Sequence, residues 1–107
     1  MNESEFNRLA DAALARIETA IDNCGGDAEC NRSGNVLEIE FVDNGSKIII
    51  NSQAPMQQMW VAAKSGGFHY KRDDARWINT RDGSELSAAL SRMVGEQGGV
   101  GVALDGF

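Results

Sequence analysis

No apolar run in this 107-residue chain approaches the roughly 20 residues that a membrane-crossing helix needs. Proline occurs once, at Pro55, histidine once, at His69, and cysteine twice, at Cys24 and Cys30. The spacing of the two cysteines fits neither a zinc knuckle nor a redox Cys-x-x-Cys motif. They read either as incidental thiols beside a loop or as a local disulfide or redox pair. Gly-x-Ser-x-Gly, Walker and dinucleotide-binding fingerprints are all missing, and nothing marks a nucleophile for His69 to serve. These gaps argue against catalysis by side chains alone, so the chain is not expected to be an enzyme. Cations are also in deficit: 10 Lys and Arg against 16 Asp and Glu give a net charge of −6. The opening MNESEFNRLADAAL is acidic and amphipathic, unlike a secretory signal or a basic transit peptide, and the expected compartment is the cytoplasm.

The charge that is present is unevenly placed. Residues 1–30 hold seven acids against two bases, whereas residues 47–81 hold six bases against Asp73 and Asp74. A molecule divided in this way repels nucleic acid at its acidic end and attracts cations or basic protein surfaces there. There are no repeats and no linker, and a single domain over residues 1–107 is expected.

The centre of the chain carries the period-two pattern of half-buried strands. Leu37, Ile39 and Phe41 alternate with Glu38 and Glu40. Asp43-Asn44-Gly45 then supplies a tight two-residue hairpin turn, and Lys47 to Asn51 forms the returning arm. Residues 52–57 read as a loop around Pro55. Met59, Val61 and Ala63 form one face of the next strand, with Gln58, Trp60 and Ala62 on the other. Gly66-Gly67 turns the chain into Phe68-His69-Tyr70, residues 71–75 turn again, and Arg76 to Asn79 is the last strand.

Helices are predicted at both ends. The first runs from about Ser4 to about Asn23, with Asn2 or Ser4 as N-cap. Its apolar arc is Phe6, Leu9, Ala10, Ala13, Leu14, Ile17, Ala20 and Ile21, and Gly25-Gly26 ends it. Asp27 and Glu29 follow on a candidate edge strand. Asp82, with Glu85 three positions on, starts a second helix whose stripe is Leu86, Ala89, Leu90, Met93 and Val94. Gly95 and Gly98-Gly99 stop it, and Val100, Val102 and Leu104 are placed against the helices as an extended plug. Helix, strands, helix argues for an α+β two-layer sandwich, an antiparallel sheet of five to six strands with both helices on one face.

Two features offer chemistry. Asp11, Glu18 and Asp22 fall within a sector of about 40° on the first helix, and Asp27 and Glu29 continue the series. An all-oxygen set suits Fe²⁺, Mn²⁺ or Ca²⁺; the other reading is a solvated helix face. Trp60 is the second feature. On the uncovered sheet face, among the amides of Asn51, Gln53 and Gln58, it resembles an interface anchor. A covering loop, or a register slip of one residue, would make it core instead.

The run Asn51-x-Gln53-x-Pro55-x-x-Gln58-x-Trp60, followed by Ser65-Gly66-Gly67-Phe68-His69-Tyr70 and Trp77, resembles the frataxin family. The opening SEFNRLAD, the block NGSKIIIN and the helix after Asp82-Gly83 are similar to its bacterial form. The resemblance implies an α-β-α fold and a role in iron–sulfur cluster assembly. That role is weak iron binding on an acidic ridge, docking on cysteine desulfurase and the scaffold protein, and modulation of cluster formation, with iron donation also proposed. By position, Glu3, Asp11, Glu18, Asp22, Asp27 and Glu29 become the candidate iron ridge. Asn51, Gln53, Gln58 and Trp60 become the partner contacts. A monomer is expected without metal, with no nucleic acid or membrane partner. The alternatives are an adaptor with no iron role and a weak ferroxidase. Where relatives crowd acids, this chain carries Thr19, Asn23, Gly25, Asn31, Arg32 and Ser33, and Asn7 and Met56 lack metal-capable side chains. Fewer or weaker iron sites follow.

Overall fold

Asn2 begins the ordered architecture by accepting the Glu5 amide on Oδ1 at 2.8 Å, the side-chain cap that a helix N-terminus needs for its unpaired donors. In the computed structural model, which describes residues 1–24, 26–99, 101 and 104, helix α1 spans Glu3–Asp22. Its expected face is buried at Phe6, Ala10, Ala13, Leu14, Ile17 and Ile21, with Leu9 and Ala20 packed at the margin. Asn23, not glycine, ends the helix, its amide reaching back to the Thr19 and Ile21 carbonyls. Gly25 lies outside the described residues.

Six strands follow: β1 (Ala28–Ser33), β2 (Val36–Phe41), β3 (Lys47–Gln53), β4 (Gln58–Ala63), β5 (Gly66–Asp73) and β6 (Arg76–Asn79). They pair antiparallel in chain order. Leu37, Ile39, Ile48, Ile50, Met59, Val61, Tyr70 and Trp77 point to one face and join the helices in a single core. Helix α2 (Leu86–Gly98) buries its entire expected stripe there, and Leu104 is buried with it. Val100 and Val102, the rest of the expected plug, lie outside the described residues.

The turns depart from expectation. Residues 42–46 form a five-residue connection between β2 and β3, closed by Gly45 N to Phe41 O at 2.8 Å and Phe41 N to Ser46 O at 2.9 Å. Asn44 Oδ1 accepts from Ser46 N at 2.8 Å, so the asparagine bonds its own loop where a two-residue turn was expected. Strand β3 continues to Gln53, and Ala54–Met56 form a short 3-10 turn. Lys64-Ser65, not the glycine pair, reverse the chain, and Gly66 and Gly67 open β5 opposite Ala63 and Ala62. The β5–β6 turn shrinks to Asp74-Ala75, with Asp74 at φ 56°. Asp82 caps no helix: its carboxylate is taken by Ser84 N and Oγ at 2.8 and 2.7 Å. Glu85 is the N-cap position of α2 without a side-chain cap bond, because its carboxylate pairs with Arg76. Gly95 is accommodated inside α2, and Gly99, at φ 67°, ends it.

Candidate functional site

Alternation along β4 sends Met59 and Val61 into the core and leaves Gln58 and Trp60 half-buried on the opposite face, which neither helix covers. Antiparallel register then sets Asn51, Trp60 and His69 side by side on β3, β4 and β5. The next row is Gln53, Gln58 and Lys71. Pro55, in the 3-10 turn, and Gln57, at φ 52°, reverse the chain so that Gln53 and Gln58 face each other. The amide row and the indole are therefore one continuous surface.

Trp60 is held in one orientation. Its Nε1 donates to Gln58 Oε1 at 2.8 Å, and its ring lies on the His69 imidazole, centroids 4.5 Å apart and planes 11° from parallel. Gln53 Nε2 donates to Asn51 Oδ1 at 3.4 Å. A large amphipathic ring, fixed before any partner arrives, loses little freedom on binding. Of the four expected residues, all lie on this face. Nothing in the sequence marks a role for His69; its place under Trp60 follows only from strand register, which side-chain alternation does not supply.

The six expected acids do not form one group. Glu3 is exposed in the first turn of α1, far along the helix from Glu18 and Asp22. Asp11 Oδ1 is ion-paired with Arg32 Nη2 at 3.0 Å. Glu18 and Asp22 lie by the half-buried Cys30. Burial first, then these two carboxylates and Cys24, push that thiol up to about 12. Cys24 and Cys30 are both free thiols. Asp27 is exposed in the α1–β1 connection, and Glu29 stands opposite Glu40 on the face carrying Trp60. Among the described residues, no three His, Cys, Asp or Glu side chains converge on a point that could hold a metal. This donor set fits cations held at the surface by one or two carboxylates and water, a weak mode.

The sheet, its two helices and this surface can be set against known proteins. The chain matches the frataxin-like domain over residues 1–100. The chain belongs to the frataxin family. An iron–sulfur cluster assembly protein CyaY of Janthinobacterium sp. (strain Marseille) is 63% identical over 108 residues, covering 97% of this chain and 96% of that protein. Among solved structures, frataxin from Psychromonas ingrahamii superposes with a TM-score of 0.90 at 38% identity, covering 95% of this chain and 96% of that one. Trimeric frataxin from the yeast Saccharomyces cerevisiae, described as complexed with ferrous iron, shares the fold at a TM-score of 0.74 and 23% identity. It covers 85% of this chain and 86% of the yeast chain.

Proposed function

We propose that this chain is a non-enzymatic regulatory adaptor of iron–sulfur cluster assembly in the cytoplasm. In this reading it docks on cysteine desulfurase and the scaffold protein through the open sheet face and modulates cluster formation. The observation that carries the reading is the preset Trp60, bonded to Gln58 and stacked on His69, tryptophan being among the residues that most often anchor an interface. Its bacterial relative is named an iron–sulfur cluster assembly protein, which supports the pathway. The acids of α1 and β1 supply a second, electrostatic contact to a basic partner surface, weakened by salt because it is exposed.

Iron enters this reading as cargo, held weakly by pairs such as Glu18 and Asp22. A second reading, an adaptor with no iron role, is favoured by one contact: the Asp11 carboxylate is already neutralised by Arg32. The ferroxidase alternative needs carboxylates bridging two irons, and the acids of α1 and β1 are spread over two faces of the molecule. An amide NMR titration, run separately with Fe²⁺ and with purified cysteine desulfurase, tests the pair. Shifts at Glu18–Glu29 with both ligands support the shared iron and docking surface. Shifts with the desulfurase alone leave the adaptor without iron, and silence with both removes the function.

A further inference from the structure

A shallow depression lies where β5 meets the loop after β6, lined by Gly67, Phe68, His69, Asn79, Thr80 and Arg81. The loop is rigidly tied. Buried Asn79 accepts the amides of Arg81 and Asp82 on Oδ1 at 2.8 and 3.2 Å, and Thr80 N donates to His69 O at 3.0 Å. Arg81 therefore projects from a fixed base beside the imidazole. Its guanidinium has no hydrogen-bond or ion-pair partner among the described residues, and the adjacent acid, Asp82, is occupied by Ser84. By contrast, Lys47 pairs with Glu38 and Arg76 with Glu85. Lys71, on the same face two residues beyond His69, likewise has no paired acid among the described residues.

The opposite end of this sheet face is acidic, with Glu29, Glu38 and Glu40 on β1 and β2. His69 connects the two parts of the surface, being a wall of the depression and the ring on which Trp60 rests. We propose that this depression is a subsite for a carboxylate of the protein that docks on the Trp60 face, received by Arg81, His69 and Thr80. An arginine with free donors is suited to a carboxylate, which it can engage through two parallel bonds. Together with the acidic far end of the sheet, the subsite fixes which way round the partner lies, since like charges would meet in the reversed pose. The inference rests on the docking reading above.

The test has two parts. First, amide shifts of the full chain are followed at low salt with a short glutamate-rich peptide, its glutamine counterpart and inorganic phosphate. The expected result is saturable shifts at His69, Thr80 and Arg81 with the glutamate peptide only, lost in Arg81→Gln. No shifts, shifts surviving Arg81→Gln, or an equal response to phosphate would overturn the carboxylate subsite. Second, binding to the purified desulfurase–scaffold assembly is measured across salt. Arg81→Glu should weaken it roughly fivefold or more at low salt and flatten its salt dependence, whereas Trp60→Ala should weaken it at every salt concentration. Loss with Trp60→Ala and none with Arg81→Glu leaves the docking face standing and removes the subsite. No loss with either variant removes both.

Discussion

Trp77 is fully buried against Phe6, ring centroids 5.8 Å apart and nearly perpendicular, with the Arg72 guanidinium over its face. Removing it as Trp77→Ala should lower stability by about 3–5 kcal/mol, read as a lower urea midpoint. Trp60→Ala removes a stacked pair and one part-buried hydrogen bond on the open sheet face. It should lower stability by only about 1 kcal/mol while impairing action on the desulfurase–scaffold assembly. The Cys30 thiol supplies a pH signature. The fold keeps it protonated to about 12 against an ordinary value of 9.0. Between those values the unfolded chain holds fewer protons than the folded one, so stability falls as pH rises. Tyr70, also raised by burial, has the same sign. In Cys30→Ala the urea midpoint should therefore fall less steeply over that range. Side-chain alternation made the outward face of Trp60 legible in the sequence, whereas for Trp77 only its strand was. The surroundings of Cys30 were not, because Glu18 and Asp22 reach it across a helix–strand contact.

Among the elements, α2 is fastened at its C-terminal end by a residue with no distinguishing pattern in the sequence. Gln97 accepts from Lys64 N at 2.8 Å on Oε1 and donates through Nε2 to Ser46 Oγ and Lys47 O at 3.3 and 3.2 Å. Asn44 Nδ2 donates to the Gln97 carbonyl at 2.6 Å. One glutamine thus ties the helix to the β2–β3 and β4–β5 connections. Gln97→Ala leaves the Lys64 amide and Lys47 carbonyl without this partner, and stability should drop by about 1–3 kcal/mol in urea titration. The next residue, Gly98, approaches Phe41 so closely that a Cβ there would stand 2.5 Å from the ring. Gly98→Ala should also destabilise by about 1–3 kcal/mol, through forced repacking. The helices and strands were readable because their apolar periods match what they bury. The turns were misplaced because side-chain bonds, such as those of Asn44 and Asp82, chose among local conformations that glycine and asparagine alone leave open.

For the molecule as a whole, the electrical division seen in the composition survives folding, but pairing redistributes it. The Arg32–Asp11 contact removes one carboxylate from the acidic side. Arg32→Ala should release it, so Fe²⁺ should shift the Asp11 amide more strongly in the variant than in the parent chain. An unchanged response would mean that Asp11 takes no part in cation binding. The common helical sector of Asp11, Glu18 and Asp22 was legible from helix pitch, but the Arg32 partner of Asp11 was not. That Glu29 belongs with the Trp60 face was not, because the side a residue takes on an edge strand depends on pairing with β2.

The sheet repeats the order of the chain, each strand pairing with its sequence neighbours. Hairpins can therefore close one after another over short loops, the local kind of contact associated with rapid folding. The helices obey a different schedule. α1 emerges first, yet it packs against β1, β3 and the 3-10 turn, and Phe6 waits for Trp77. During synthesis α1, made before the strands that cover it, thus carries an uncovered apolar stripe until they pair, beside the exposed carboxylates of Glu3, Glu5 and Asp11.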